Sequence, residues 1–331
     1  MGLDAWRAQA PANIALIKYM GKTDLFENQP SNASLSYSLD HLISAVEIWP
    51  SESGQDSWQP LRADDFEIPQ LSSQGQERFL KHFDFLKSQL QIPGHYKILS
   101  ANNFPSDCGL ASSASSFAAL TKAAHQLALD RSLDREASES LSTQELSQLS
   151  RRGSGSSCRS LFSPWALWRG PGAENLNLPW PYLHHQVVVL EKSKKAVSSS
   201  DAHKRVSSSE LFQGRAARAE KRLHQLLAAL NQKQWRQSCE LVWADFWDMH
   251  ALFETSQPAF GYMTSGSMAV LESVREIWKK EDDGPMVTMD AGANVHLLYR
   301  ADQILTAHRM SRALSSLGQV IESPSLYLEG R

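Results

Sequence analysis

A glycine- and serine-rich stretch before an apolar helical pattern constrains this chain more than any other feature. It spans 102–115, NNFPSDCGLASSAS, and follows a short apolar run typical of a strand. Pro105 closes off any preceding helix, and Gly109 permits a tight turn. Such a loop presents unpaired backbone N–H groups and the positive end of a helix dipole, which together bind phosphate. An ordinary serine-capped helix explains the same residues, and the Walker lysine is missing.

Composition limits the class of protein. The chain has 331 residues, of which 42% are hydrophobic and 21% charged, enough for two globular domains. A net charge of -3 gives no basic field, so we expect no nucleic-acid partner. Cys108, Cys158 and Cys239 are odd in number and far apart, which argues against a disulfide framework and for a reducing compartment. The first apolar run is short and ends at Lys18, so we expect a cytoplasmic protein without a membrane partner.

Hydrophobic periodicity predicts two differently organised halves. In the first half we predict strands over 12–18, 43–49 and 95–100, and a strand or hairpin over 161–168. We also predict helices over 77–90 and from Gly109 to about 129, and a third helix that ends near 150. In the second we predict strands over 186–191, 285–289, 294–299 and 319–323, and helices over 210–230, 234–253, 267–279 and 303–317. Polar loops are predicted over 28–36, 51–65 and 192–209. Glycines and prolines in 170–182 favour a domain boundary, giving domains 1–183 and 184–331.

Polar groups that stand at the ends of the predicted strands are candidates for chemistry. They are Lys18 with Lys22, the serines of 112–113, the glycine- and arginine-containing segment 154–159, and Asp290. Phosphoryl transfer uses such a set: amide donors around phosphates, cations over the transferring group, and a carboxylate that orients the attacking hydroxyl. Plainer roles exist for each group. Asp290 is also a candidate Asx-turn former, Arg159 a surface ion pair, and 192–209 a solvated linker rather than a substrate loop.

Taken together, the motifs resemble the diphosphomevalonate decarboxylases, which belong to the kinase superfamily of galactokinase, homoserine kinase and mevalonate kinase. The matching segments are APANIALIKYMGKTD (10–24), SNASLS (31–36), NNFPSDCGLASSAS (102–115), RRGSGSSCRS (151–160), SKKAVSSS (193–200) and MDAGAN (289–294). The resemblance implies an α+β, two-domain small-molecule-kinase fold. Its N-terminal domain would be ribosomal-protein-S5-like α/β, its C-terminal domain ferredoxin-like α+β, and the active site would lie in the cleft between them.

The resemblance also implies a reaction. ATP, which carries Mg²⁺, would phosphorylate the C3 hydroxyl of mevalonate 5-diphosphate, and loss of phosphate and CO₂ would give isopentenyl diphosphate. Asp290 matches the aspartate that positions or deprotonates the hydroxyl, Arg159 the arginine on the substrate carboxylate, and Lys18 a lysine near the reacting centre. Substrate-binding positions fall on Tyr19, Lys22, Ser154, Gly155, Ser156, Ser200 and His203. Nucleotide-binding positions fall on Asn103, Gly109, Leu110, Ala111, Ser112, Ser113, Ala114, Lys195 and Ser199. We expect no dedicated metal ligands, and a homodimer because the family is commonly dimeric.

Departures from the family pattern leave alternatives open. Met20 stands where a tryptophan is usual, and Asp107 with Cys108 replaces small neutral residues in the phosphate loop. An anion there would repel ATP unless it is paired or points away. Over 200–203 an arginine and a Gly-Met of many bacterial members are absent, and Asp201 adds a negative charge. The alternatives are a mevalonate 5-phosphate decarboxylase, a mevalonate 3-kinase, a kinase for another alcohol, and a non-catalytic nucleotide-binding protein.

Overall fold

The computed structural model describes residues 5–24, 28–64, 66, 71–105, 112–131, 140–191 and 195–324. These residues form a mixed α+β architecture with two main sheets. The strands of the first part of the chain are β1 (Trp6–Ile17), β2 (Lys22–Asp24), β3 (Gln29–Pro30), β4 (Ser34–Pro50), β5 (Ser57–Pro60), β6 (Tyr96–Asn102), β7 (Trp165–Arg169) and β8 (Gly172–Leu176). Its helices are α1 (Ser73–Leu90), α2 (Ser112–Arg131) and α3 (Thr143–Gly153), and a 3₁₀ helix follows over Gly155–Leu161.

The first sheet has six strands in the order β5-β6-β4-β7-β8, with β1 paired antiparallel to β4. β4 is the longest strand among the described residues, and it contributes side chains to two separate apolar clusters. Its first half buries Leu35 in a cluster shared with the second sheet, whereas Ile48 near its other end packs in the cluster under α1 and α2. Helices α1 and α2 cover this second cluster through Phe83 and Leu120. β4 therefore ties the two parts of the molecule together.

The second sheet has four antiparallel strands. They are β9 (His184–Val189), β10 (Met286–Thr288), β11 (Val295–Tyr299) and β12 (Gln319–Glu322), in the order β10-β11-β9-β12. Its helices are α4 (Ser199–Arg205), α5 (Arg215–Asn231), α6 (Trp235–Glu254), α7 (Ser265–Glu281) and α8 (Ile304–Leu314). The strand β9 is buried along its whole length and begins two residues before the predicted 186–191. No helix in the described ranges has the length and apolarity needed to span a membrane.

The two sheets meet where β1 and β10 end. A single apolar cluster contains Leu16 of β1, Val187 of β9 and Val242 of α6. The Thr288 hydroxyl of β10 donates to the Ala15 carbonyl of β1 at 3.2 Å. This contact places the residues that follow β10 beside those that follow β1.

Several predicted boundaries were wrong. The loop predicted over 28–36 ends early, because β4 already begins at Ser34. Alternate serines in this strand suggested a turn, but they are buried: Ser34 Oγ donates to the Ile17 carbonyl and Ser38 Oγ to the Phe162 carbonyl, each at 2.7 Å. β1 begins at Trp6 rather than at residue 12, since its first half pairs with the second half of β4.

Short elements also lie inside regions that we predicted as irregular. β5 lies within the predicted loop 51–65, β8 lies within 170–182, and α4 lies within 192–209. The predicted helix over 210–230 starts as the 3₁₀ turn Glu210–Phe212, and α5 begins only after Gly214, whose φ is +79°. With β8 in the first sheet, the connection between the sheets shortens to residues 177–183. We propose that the domain boundary lies at its end, between 183 and 184.

Candidate active site

A cavity of about 800 Å³ lies between the ends of the two sheets. Among the described residues, its lining carries eight cationic side chains and three carboxylates. The cationic ones are Lys18, Lys22, Arg78, Lys81, Arg152, Arg159, Lys195 and Lys204, and the carboxylates are Asp84, Asp201 and Asp290. An excess of positive charge in a partly enclosed volume attracts anionic ligands. The cavity is therefore suited to phosphorylated compounds.

Lys18 and Asp290 form an ion pair at the base of this cavity. Lys18 follows β1, Asp290 follows β10, and Lys18 Nζ donates to Asp290 Oδ1 at 2.5 Å. The lysine side chain is 3% exposed and the aspartate side chain 28% exposed. Burial opposes ionisation of Asp290, but the Lys18 ammonium outweighs it and holds the pKa of this carboxyl below its ordinary value. Burial in turn lowers the pKa of Lys18 despite the opposing field of Asp290. The pair thus offers a carboxylate to the cavity with a cation beside it.

Arg159 is buried in the 3₁₀ helix Gly155–Leu161, so the alternative role of a surface ion pair does not apply. Its Nε donates to Asn13 Oδ1 at 3.2 Å. Its guanidinium lies 5.8 Å from the ring centre of Tyr19 and 5.6 Å from that of Trp168. Its Nη1 is buried without a hydrogen-bond partner among the described residues. A buried donor without a partner is costly, and a planar guanidinium is suited to a carboxylate. Arg159 can therefore receive a carboxylate ligand.

Tyr19 and His203 form one wall of the cavity. Their rings stack at 4.7 Å, and His203 Nδ1 accepts the Gly21 N–H at 3.1 Å. Because Nδ1 is an acceptor, His203 carries its proton on Nε2. Burial, aided by Lys22, lowers the pKa of His203 to about 3, and burial raises that of Tyr19 to about 12. Both groups are therefore neutral near pH 7 and can donate hydrogen bonds without adding charge.

Lys22 stands at the start of β2, where its Nζ donates to Asn28 Oδ1 at 2.6 Å. Burial lowers its pKa to about 8, and the positive charges of Arg78 and Lys204 contribute. An anion bound among these three cations would reverse that effect. Lys22 is therefore placed to hold an anionic group.

The structure brings two predicted phosphate-binding segments together. Ser154 Oγ lies 3.5 Å from Ser113 Oγ at the start of α2 and 3.3 Å from Ser156 Oγ. Between these serines, a Cβ on Gly155 would lie 2.8 Å from Tyr19 Oη, so the close approach requires glycine. Ser112 also lines the cavity. The predicted residues Gly109, Leu110 and Ala111, and the departures Asp107 and Cys108, lie outside the described residues.

Residues at and just before the start of α4 also line the cavity. Lys195, Ser199 and Ser200 line the cavity, and Lys195 Nζ donates to the Ala291 carbonyl. Asp201 accepts from Ser198 Oγ at 2.7 Å, while Ser198 Oγ accepts the Asp201 N–H at 3.1 Å. This is a helix-capping arrangement. It gives Asp201 a structural role that its charge alone did not suggest.

Two predicted nucleotide-binding residues do not reach the cavity lining. Asn103 Nδ2 donates to the His41 carbonyl at 2.9 Å, and its Oδ1 accepts the Ile43 N–H at 2.7 Å. These bonds fasten the end of β6 to β4. Ala114 is fully buried in the first turn of α2. Their assignment to nucleotide binding stays a prediction.

Some cavity residues were missed by sequence reasoning. Asn13 Nδ2 donates to Ser160 Oγ at 2.8 Å and to the Ser156 carbonyl at 3.2 Å. A polar residue inside the apolar run 12–18 was the available signal for it. Arg78 projects from α1, and its Nη2 donates to the Gly153 carbonyl at 3.3 Å. Nothing in the spacing of α1 distinguishes Arg78 from a solvated arginine.

Comparisons with known proteins agree along nearly the whole chain. Residues 10–176 match the diphosphomevalonate decarboxylase-like N-terminal domain, and residues 186–323 match the mevalonate 5-diphosphate decarboxylase C-terminal domain. A diphosphomevalonate decarboxylase of Gibberella zeae is 33% identical over 93% of this chain and 85% of its own length. The one from Saccharomyces cerevisiae is 31% identical over 88% of this chain and 77% of its own.

Solved structures show the same fold. The crystal structure of a mevalonate diphosphate decarboxylase from Legionella pneumophila is 44% identical, covers 96% of this chain and 100% of its own, and superposes with a TM-score of 0.89. The structure of MDDEF in complex with MVAPP, AMPPCP and magnesium is 29% identical over 97% of each chain, with a TM-score of 0.84. The two-domain α+β fold is confirmed by these neighbours.

Proposed function

This chain belongs to the diphosphomevalonate decarboxylase family, and from that premise we propose how its cavity performs the family's reaction. The enzyme uses ATP to decarboxylate mevalonate 5-diphosphate to isopentenyl diphosphate in the mevalonate pathway, with release of ADP, phosphate and CO₂. The observation that carries the assignment of residues is the Lys18–Asp290 pair, which shares one cavity with Arg159, whose Nη1 has no hydrogen-bond partner among the described residues.

Asp290 acts first. Its ionised carboxylate orients the C3 hydroxyl and accepts the hydroxyl proton as the oxygen bonds to the γ-phosphorus of Mg-ATP and the bond to ADP breaks. Proton transfer by a positioned group contributes roughly 10²–10⁴-fold to such a step. Lys18 beside it keeps Asp290 ionised and offers positive charge to the transferring phosphoryl group.

Arg159 governs the second stage. The C3–O bond breaks and phosphate leaves with its electron pair. The bond between C2 and the carboxylate then supplies the electrons of the new double bond, and CO₂ departs. A guanidinium on the carboxylate fixes its orientation for this loss. The rings of Tyr19 and Trp168 pack against the same guanidinium and exclude water from it.

The substrate's diphosphate is assigned to the cationic and hydroxyl end of the cavity. The residues proposed to bind it are Tyr19, Lys22, Ser154, Gly155, Ser156, Ser200 and His203. Arg78 and Lys204 place positive charge close enough to Lys22 to lower its pKa. They compensate for the arginine absent from residues 200–203, which supports a substrate with two phosphates rather than one. The MVAPP complex of a relative supports this assignment.

Mg-ATP is assigned to residues of two segments of the cavity lining. Ser112 and Ser113 at the start of α2, and Lys195 and Ser199 at and before the start of α4, line the cavity, and we propose that they hold its phosphates. Asn103, Ala114 and the loop residues Gly109, Leu110 and Ala111 complete the proposed nucleotide site. The relative's complex with AMPPCP and magnesium supports it.

A stoichiometry measurement tests the function. Purified protein with Mg-ATP and mevalonate 5-diphosphate should release ADP, inorganic phosphate and CO₂ in equal amounts, and mevalonate 5-phosphate should turn over far more slowly. ADP without CO₂ would indicate a kinase, and saturable ATP binding without turnover on either substrate a non-catalytic relative. Faster turnover of mevalonate 5-phosphate would assign the substrate with one phosphate.

We further propose a cytoplasmic homodimer. Support for a reducing compartment comes from Cys158 and Cys239, which are both buried and free. The dimer rests on the family resemblance. Sedimentation velocity at micromolar concentration should show a species of twice 36.9 kDa, whereas a monomer would contradict it.

A further inference from the structure

A buried charged network lies behind the cavity, and the proposed reaction does not use it. Asp245 of α6 and Arg215 of α5 are both 0% exposed. Asp245 Oδ2 accepts the main-chain N–H of Lys18 at 2.7 Å, and Arg215 Nη2 donates to the Lys18 carbonyl at 2.9 Å. Arg215 Nη1 closes the ring on Asp245 Oδ1 at 2.8 Å. Both main-chain polar groups of Lys18 are therefore held by helices of the second part of the chain.

The same helix α6 also holds the partner of Lys18. His250 Nε2 lies 3.2 Å from the main-chain carbonyl of Asp290. A carbonyl oxygen only accepts, so Nε2 carries the proton and donates. The His250 ring makes edge contacts with Phe253 at 5.2 Å and Tyr262 at 6.4 Å, which restrict its rotation. His250 is thus a fixed donor that anchors the segment carrying Asp290.

We propose that helix α6, together with Arg215 of α5, fixes the position of Lys18 relative to Asp290. Asp245, Arg215 and His250 are the positioning residues. Lys18 and Asp290 are separated by 272 residues along the chain, yet their side chains meet at 2.5 Å. One rigid helix contacts the main chain of each. Replacing a buried ion pair by apolar residues is often neutral or stabilising, so the Arg215–Asp245 pair is better explained by positioning than by stability. The inference rests on the proposed function, because it assigns these residues to the Lys18–Asp290 chemistry.

The chain offers a matched control in Asp248, which lies one turn from Asp245 on α6. Its carboxylate pairs with Arg215 at 3.1 Å, Arg218 at 2.8 Å and Arg222 at 2.5 Å. These contacts join α5 to α6 through arginine side chains. Arg215 keeps its own bonds to Asp245 and to the Lys18 carbonyl in Asp248→Asn, so this variant should weaken the fold while leaving the geometry of Lys18 and Asp290 in place.

The test compares His250→Phe, His250→Gln, Asp245→Asn and Asp248→Asn by steady-state ADP release and thermal unfolding. A misplacement of about 1 Å can cost roughly 100-fold, so His250→Phe should lower kcat by about 10- to 100-fold, with both KM values within about threefold. His250→Gln keeps a donor and should recover most of this loss. Asp245→Asn should lower kcat similarly, and Asp248→Asn should lower the Tm with kcat within about twofold.

A folded His250→Phe variant with native kcat would overturn the proposal, as would an equal loss of kcat in Asp248→Asn. If Asp245→Asn does not fold, the two His250 variants still decide. Wild-type ADP release without CO₂ would contradict the proposed decarboxylation but leave this comparison valid, because it is measured on ADP. A crystal structure of His250→Phe that retains the 2.5 Å separation between Lys18 Nζ and Asp290 Oδ1 would contradict the positioning role of His250, even if the variant were inactive.

Discussion

Two buried ion pairs among the described residues, Lys18–Asp290 and Arg215–Asp245, are built differently. Asp290 faces a cavity with its side chain 28% exposed and is paired with one ammonium. Asp245 is fully enclosed, and its two oxygens accept from Arg215 and from the main chain of Lys18. Charges inside a protein are costly unless well paired. A group that must exchange partners during a reaction keeps few bonds, whereas a group that holds geometry is bonded on every side.

The largest expected effect concerns Asp290, the carboxylate that we propose to act in catalysis. Asp290→Asn keeps the size of the side chain but removes the proton acceptor, so kcat should fall by about 10²- to 10⁴-fold. The variant should remain folded and bind Mg-ATP, as measured by ADP release and isothermal titration. Asp283→Asn is the control, because its carboxylate pairs with Arg300 outside the cavity lining. An active Asp290→Asn enzyme would contradict the assigned role.

The second prediction compares the two ion pairs by their effect on stability instead of turnover, and here Arg215–Asp245 should matter more than Lys18–Asp290. Arg215→Met removes the closest cation of the enclosed Asp245 carboxylate and leaves only Arg222 Nη1, 3.5 Å from Oδ1, which should lower the free energy of unfolding by about 3–5 kcal/mol. Lys18→Met should cost less than Arg215→Met, since water reaches the carboxylate of Asp290. Urea unfolding at pH 7 measures both. A larger loss for Lys18→Met would show that the two pairs do not differ as their exposure indicates.

The sequence indicated Lys18, Asp290 and Arg159 as candidates for chemistry, but it did not indicate the residues that hold Lys18 and Asp290 in place. Strand ends followed by Lys18 and Asp290, and a serine loop with Arg159, are local patterns, and the structure brings all three residues to one cavity. The support depends on contacts between distant segments. Asp245 and His250 lie in a helix whose sequence suggested only an aromatic packing face, and their partners are main-chain atoms of Lys18 and Asp290. Such partners leave no periodicity in the sequence.

The fold was predictable to the same extent. Strands with continuous apolar residues, such as β9 and β11, were found nearly at their observed bounds. The first half of β4 was missed because its polar residues are buried serines bonded to neighbouring carbonyls, and the same residues favour turns when exposed. Which of the two holds depends on the tertiary partner.

A third prediction concerns Lys22, which we propose to bind the substrate and which forms no ion pair with a carboxylate of the described residues. Burial together with Arg78 and Lys204 lowers the pKa of Lys22 to about 8. Below this pH the ammonium is charged and binds the anionic substrate, and above it the charge is lost. The KM for mevalonate 5-diphosphate should therefore rise about tenfold from pH 7 to pH 9. Lys22→Arg keeps its charge over this range, so an unchanged pH dependence in that variant would contradict the assignment.

The smallest expected effect decides whether Asp201 acts on the substrate or serves only to cap α4. Its carboxylate lines the cavity, as a site residue would, but it also caps α4 through Ser198 at 2.7 Å and lies 3.9 Å from Lys204. If Asp201 belongs to the scaffold, Asp201→Ala should lower the free energy of unfolding by about 0.5–1 kcal/mol. The KM for the diphosphate substrate should stay within about twofold, because an exposed ion pair screens little charge. If the KM instead falls by tenfold with unchanged stability, the carboxylate repels the substrate and belongs to the site. Ser198→Ala is the matched control, since it removes the same cap without removing a charge.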